Sequence, residues 1–515
     1  MGIYQKLEKV IKDQIMAEEQ KNKLIQLFLF IIFSVNYLIA QPDNRFDPFD
    51  WEMYSQSDRI NSISEDNTYF YFGTENAGIL RFNKFSEQFD IPITRAQGLH
   101  SKSVKHVYFD EYTGILWVVG DKFIEYSFSK TGGWQKSALT KGQILDIGSS
   151  NNYLWLRSGP NFTKLDHING VNLGTYSSPD ESNVNWGDVS YNYMNLINFD
   201  FNDYFVEDAW LLTVNGASDS RGDFLKYKSY YKSEQKFSWI GLDNGALLQI
   251  DKFSKSIKPI FYGLGTNSIR DVLVDGDFLW IVGEEGITKF DMIQNTSEVL
   301  RPEEYFQFDG RAISSLLKVG NEFWFGLNGY ILIYNTKKDS FTRFRSESMI
   351  TDLALKDDKV WVSNVRYGFG DIFAIDIESR TKLEDKIPNV PNQDWNEILV
   401  MRYNAKSKGI EAAFYKDKKI YFSNENGIYN DGVRPSNLMV NSSLYFNGVV
   451  NDILVLEELI FIATERGLFV IDLRSKKLLE HYNFLFLRDI IEINYFSDFL
   501  VLLTRDGLVK FDMEL

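Results

Sequence analysis

Residues 269–291 read IRDVLVDGDFLWIVGEEGITKFD. Two apolar runs, Val272 to Val274 and Phe278 to Val282, are split by Asp275, Gly276 and Asp277, and a third, Ile287 to Phe290, follows Glu284, Glu285 and Gly286. Short apolar runs punctuated by Gly and Asp predict three antiparallel strands joined by tight turns. The wording returns at 450–472 as VNDILVLEELIFIATERGLFVID and at 487–512 as LRDIIEINYFSDFLVLLTRDGLVKFD. In each copy a central apolar residue (Trp280, Phe461, Val501) is followed six positions on by Gly (Gly286, Gly467, Gly507) and eleven on by Asp (Asp291, Asp472, Asp512).

Looser copies surround Phe70, Trp117, Trp155, Trp239, Trp324, Trp361 and Tyr421, which gives ten candidate repeats. Where neighbours are clear, anchors such as Ile60, Val104 and Ile144, or Ile269, Ile313 and Ile350, or Val450 and Leu487, recur at 37 to 44 residues. Several strands in a period of roughly 40 predict an all-β chain of the β-propeller type, because solenoids of that period are mostly helical. The Gly supplies a positive φ in a hairpin. The mid-strand Trp or Phe fills the wedge between neighbouring sheets. The Asp or Asn after the third strand bonds its own backbone two residues on. All three roles are architectural.

The runs WIVGEEG, FIATERG and FYFGTENAGI resemble the repeat of the two-component-regulator type of β-propeller. That resemblance covers most of 51–515. It implies the fold, and a setting in bacterial periplasmic sensors or secreted and surface propellers, and it carries no catalytic residue across. The segment Trp51 to Ser55, WEMYS, precedes the first repeat, and the last repeat stops after its third strand. The expected fold is therefore one closed ring of about eight to ten blades, with the N-terminal strand completing the last blade. A split into two smaller rings is the alternative.

The chain has 71 acidic against 55 basic residues, a formal charge of −16, which opposes binding to nucleic acid or to an anionic membrane surface. It has no Cys, so disulfides, thiolate nucleophiles, zinc–cysteine sites and a lipoprotein anchor are excluded. Residues 24–40, LIQLFLFIIFSVNYLIA, follow Lys21 and Lys23 and end on Ala40. They describe a secretory signal cleaved after Ala40, leaving residues 41–515 as a propeller domain without a membrane span. Leu38 departs from the small residue expected there, which keeps an uncleaved anchor as the alternative, and Met16 is a second candidate start.

The period breaks at 176–236 and 378–409, which read as insertions on the ring faces, where binding residues tend to lie. The first is rich in Asn, Asp and aromatics, among them Trp186, Tyr191, Tyr193 and Tyr204, suited to a sugar or protein surface or else to the core of an elaborated blade. In the first strand of five repeats the pattern apolar-x-Asp-apolar places Asp146, Asp271, Asp352, Asp452 and Asp489, with Ser62, His106, Ser315 and Glu411 as equivalents elsewhere. If that strand is innermost, these residues line the channel. There they either attract a cation or basic group or accept backbone amides of their own or the next blade, and the second reading is favoured because buried polar groups need partners. The four His lie in unrelated contexts, with no metal-site spacing and no nucleophile or phosphate-loop motif, so neither a metal nor a cofactor is expected.

The function expected is that of an exported, non-enzymatic module that binds a protein or glycan, or scaffolds a cell-envelope assembly. A periplasmic ligand sensor and a polysaccharide-acting enzyme are the two alternatives.

Overall fold

The computed structural model describes residues 51–512, apart from 140–142, 188–199, 221, 266–268, 284–285, 292–295, 301–312, 357, 367–368, 384–396, 405–408, 417–418, 425–426, 429–449, 457–458, 473–477 and 497–498. The described residues are strands and turns with a few single 3-10 turns and no α-helix. They form nine sheets, antiparallel except where Phe205–Val206 runs parallel to Ser256–Ile260. No helix among them is long and apolar enough to cross a membrane.

The quoted stretch folds as read. Ile269–Asp275, Phe278–Gly283 and Gly286–Asp291 pair in order, and Thr296–Leu300 adds a fourth, outer strand. Residues 60–93, 104–139 and 450–482 repeat that four-strand order. One sheet carries two repeats, because the 17-residue strand Ser340–Lys356 is the outer strand of one and the first strand of the next. In the sheet of 397–428, Tyr421 sits on the third strand, Lys419–Asn424, and the first strand is Glu397–Asn404. Part of the stretch expected as an insertion at 378–409 is thus a strand, and Glu411 lies on the second strand of that sheet, Gly409–Lys416.

Three residue types explain why the repeat holds its shape. Trp117, Trp155, Trp239 and Trp324 are fully buried between sheets, where a flat ring covers both faces of the wedge. Asn83, Asp166, Asp251, Asn335 and Asp376 end third strands, and each accepts one or more backbone amides of the turn that follows. The repeated Gly answers a tighter constraint than the hairpin alone. Its φ is positive (119° at Gly467, 147° at Gly507). A Cβ would also lie 2.0 Å from Tyr482 O at Gly467, 2.3 Å from Ile93 O at Gly78 and 2.2 Å from Tyr54 O at Gly507. In all three the obstacle is a carbonyl of the outermost strand.

That last carbonyl belongs to the N-terminal segment. Trp51–Tyr54 pairs with Gly507–Asp512 and supplies the fourth strand that the final repeat lacks. Trp51 is buried and stacks on Phe511 with ring centroids 4.1 Å apart, while Gln97 Nε2 donates to Trp51 O at 2.6 Å.

First strands of neighbouring repeats touch in two successions. Ser229 Oγ donates to Ile60 O, Asn61 Nδ2 donates to Val104 O, and Asp146–Ser149 lies beside Val104–Asp110. In the second succession Ile269–Asp275 is followed by Ser315–Val319, Ser340–Lys356, Glu397–Asn404, Val450–Leu456 and Ile490–Phe496. The last of these returns to Ile269–Asp275, with Asn494 Nδ2 donating to Val272 O at 2.9 Å. The return contact therefore joins the tenth repeat to the fifth, where a single ring of all repeats would join it to the first.

Gly507→Ala is expected to cost about 2–4 kcal/mol, since strain and a backbone clash combine. Gly114→Ala, at φ 72° with nothing within 4 Å, serves as the control and should cost about 1 kcal/mol. Denaturant midpoints at unchanged m-value measure both.

Candidate functional site

The expected acid layer sits at a backbone irregularity. Register shifts fall between Ile60 and Ser62, Val104 and His106, Ile269 and Asp271, Ile350 and Asp352, Val450 and Asp452, and Ile490 and Glu492. A bulge re-aims the residue after it. Four of those residues, Ser62, His106, Asp271 and Asp452, reach the neighbouring repeat. Ser62 Oγ accepts from Val107 N at 2.8 Å, Asp271 Oδ2 from Leu316 N at 2.5 Å, and Asp452 Oδ2 from Ile493 N at 2.8 Å. His106 is buried, pairs through Nε2 with Ile144 O at 3.1 Å, and has its pKa pushed down by burial.

Asp271 and Asp452 thus hold the next repeat by its backbone. Asp352 accepts from Leu353 N on its own strand at 2.8 Å. Burial raises Asp271 to about 7, a hydrogen bond with Glu492 opposes this, and the charge of Asp352 adds to the rise. Asp146 belongs to the first succession, paired with Arg157 on the adjacent strand; burial raises its pKa and Arg157 works against that.

Asp489 does not join them. It precedes its strand, Ile490–Phe496, has φ 54°, and faces Arg505 at 3.8 Å. The layer position of that repeat is Glu492. Counting nine residues back from the central residue finds it: Trp155, Trp280, Trp361 and Phe461 lead to Asp146, Asp271, Asp352 and Asp452, and Val501 leads to Glu492.

Two of the four named aromatics of the first insertion lie among the described residues, each packed against a sheet. Trp186 lies in a two-residue strand against Asp146–Ser149, over Gly148, where a Cβ would lie 2.9 Å from its ring. Tyr204 is half-buried against the core that includes Tyr227 and Ile240, with Lys255 Nζ 4.8 Å above its ring. Tyr191 and Tyr193 lie outside the described residues. The segment around them adds strands to both ends of one sheet, Phe205–Val206 at the outer end and Leu211–Leu212 and Gly216–Ser218 at the inner.

The structure also brings together a cleft of about 420 Å³ beside the link between the first two repeats. Glu75, Arg95, His100, Lys102, Asp121 and Lys122 line it. Thr94 and Gln97 cap each other across a single 3-10 turn and fix the link. Glu125, fully buried beneath, accepts from His100 N and His100 Nδ1, both at 2.8 Å, and from Ser101 Oγ at 2.5 Å. Arg95 Nη1 and Lys102 Nζ hold the Asp506 carboxylate at 3.1 and 2.8 Å. Burial works to raise Glu75, yet Lys105, at 2.7 Å, with Asn61 and Ser103, keeps it below the usual carboxylate range. The rim thus carries both signs of charge, with Glu75, Arg95, His100 and Lys102 held by partners and Asp121 and Lys122 exposed. Nothing in the sequence singles it out beyond the capping pair, because its residues come from the turns of two repeats and the linker between them, and only the fold brings these together.

No protein-family model matches the chain, and no curated protein matches it. Among solved structures it is similar to PorZ, an essential bacterial surface component of the type-IX secretion system of Porphyromonas gingivalis. Identity there is 12% over 90% of this chain and 87% of that one, with a TM-score of 0.47. It is also similar to the extracellular domain of a hybrid two-component system of B. thetaiotaomicron, at 11% identity over 88% and 70%, TM-score 0.34. A virginiamycin B lyase of Staphylococcus aureus aligns at 12% identity over 55% and 94%, TM-score 0.35.

Ser62→Ala leaves the buried Val107 N–H without its acceptor and should cost about 1–3 kcal/mol. Thermal or denaturant unfolding reads this directly, and an unchanged midpoint would mean the inter-repeat bond contributes nothing.

Proposed function

We propose that this chain is an exported, non-enzymatic β-propeller protein that binds a polar partner, a glycan or a charged protein segment, at the cleft between residues 95 and 123. The observation that carries the reading is the cleft's construction. Glu75, Arg95, His100 and Lys102 are each held by a partner, so a ligand meets a largely preformed set of charges, with Asp121 and Lys122 exposed beside them, and less ordering entropy is lost on binding.

The repeats are read as two rings. Residues 60–260 form one and 269–512 the other, with Trp51–Tyr54 completing the second. Support comes from the two successions of first strands and from the return contact at Val272. Export rests on the apolar run at 24–40 with its basic flank. The enzymatic alternative needs free carboxylates in the channel. Asp271 and Asp452 instead accept backbone amides of the next repeat, which favours a binding role.

A glycan array and a pull-down with the chain from Gln41 test this. A ligand found in either assay is expected to bind the double variant Asp121→Lys, Lys122→Glu at least about tenfold more weakly, which is about 1.4 kcal/mol, at an unchanged melting temperature. Full binding by that variant would remove the cleft from consideration.

A further inference from the structure

The cleft proposed above as the binding site carries more donors than its own acids can use. Glu75 accepts from Lys105 Nζ at 2.7 and 2.9 Å, from Asn61 Nδ2 at 3.0 Å and from Ser103 Oγ at 3.2 Å. The same Lys105 lies 3.4 Å from Asp121. Asp506 is held by two cations at once, Arg95 and Lys102, and the buried Glu125 is spent on His100 and Ser101. Each of these acids is matched. Lys122 is not: it stands exposed at the cleft, and no carboxylate among the described residues pairs with it. Residues 140–142, which follow the strand paired with Phe123, are Thr, Lys and Gly and bring no acid.

Among the groups that reach solvent there, the cations Arg95, Lys102, Lys105 and Lys122 outnumber the acids Glu75, Asp121 and Asp506. In a chain of formal charge −16 a locally cationic surface is the exception. An ammonium carries three N–H donors and a guanidinium five, so Arg95 and Lys102, which share one carboxylate, keep donors unspent. Such donors bond most strongly to a charged acceptor. We propose that the partner taken by this cleft is an acidic peptide segment, its carboxylates bound by Lys122 and by the unspent donors of Arg95 and Lys102. This rests on the cleft being the binding site, and it adds the sign and the class of the ligand.

Two other occupants fit less well. A basic segment would bring its cations against Lys122, Arg95 and Lys102, while the acids it needs are already engaged. A glycan meets a different obstacle. The one aromatic among the described lining residues, Phe123, has Lys136 Nζ 4.4 Å above its ring, so one of the flat faces on which a sugar could stack is taken. At about 420 Å³ the cleft exceeds a single ion and falls within the range of about 300–1,000 Å³ typical of ligand sites, which suits a short run of residues. Charge contacts at such a rim act chiefly on association and are screened by salt.

The test titrates the full chain with three fluorescein-labelled probes, hexaglutamate, hexalysine and an oligogalacturonate of equal length, at low ionic strength. Hexaglutamate is expected to bind and hexalysine is not, and raising salt from about 20 to about 200 mM should weaken the binding. Lys122→Glu should weaken hexaglutamate at least about tenfold and Asp121→Lys should strengthen it, both at an unchanged melting temperature. Hexalysine binding, with the effects of the two single variants exchanged, would overturn the sign and leave the cleft standing as the site. Tighter binding of the oligogalacturonate, lost in Lys122→Glu, would overturn the peptide in favour of an anionic glycan at the same cleft. Hexaglutamate binding that neither variant changes, or no binding of any probe, would overturn the proposal outright.

Discussion

A sheet ends in an edge, and an edge leaves amide groups without partners. In this protein the constraint is met sideways. In several repeats the first strand is bulged near its start, and in three of them the residue after the bulge carries an oxygen to an amide of the next repeat: Ser62 to Val107, Asp271 to Leu316, Asp452 to Ile493. Carbonyls are met in the same way by Asn61 to Val104, Ser314 to Ile350 and Asn451 to Ile490. The layer is polar because the backbone of its neighbour is polar, and either a hydroxyl or a carboxylate can serve.

This explains what the amino-acid sequence disclosed and what it hid. Trp280, Gly286 and Asp251 were legible because each answers a local demand: a wedge to fill, a carbonyl approaching within reach of a Cβ, a turn to cap. The strand Trp51–Tyr54 was legible because the final repeat visibly lacks a partner. The position of Glu492 was obscured by Asp489, which matches the short pattern and misses the bulge, so only the count from Val501 separates them. Which repeats stand side by side was not legible at all. Every copy presents the same surfaces, and the choice of the fifth repeat as neighbour of the tenth is made by long-range contacts such as Asn494 to Val272. The cleft was hidden for a related reason, since Arg95, Lys102 and Asp506 come from opposite ends of the chain.

The two kinds of turn are used differently. Where first and second strands join, and third and fourth, ion pairs stitch one repeat to the next: Asp66 with Lys130 at 2.6 Å, Glu322 with Arg380 at 2.6 Å, Lys236 with Glu87 at 2.7 Å. The exposed Lys236–Glu87 pair contributes little to stability individually, while Asp66 is buried, and together the pairs link neighbouring repeats. The turns joining second and third strands carry Glu75, Asp121 and Asp506 and border the cleft. Ion pairs that join neighbouring repeats thus sit at one set of turns, and the charges that border the cleft sit at the other.

The bond from Ser55 Oγ to Asp506 O spans 451 residues. A polypeptide that emerges N-terminus first has Trp51–Tyr54 in the open long before Gly507–Asp512 exists to receive it. Until then the closing sheet cannot form, and loop-closure entropy for so distant a pair must be met in a single late step. Residues 51–54 therefore wait, without their sheet partner, until the segment 507–512 has been made.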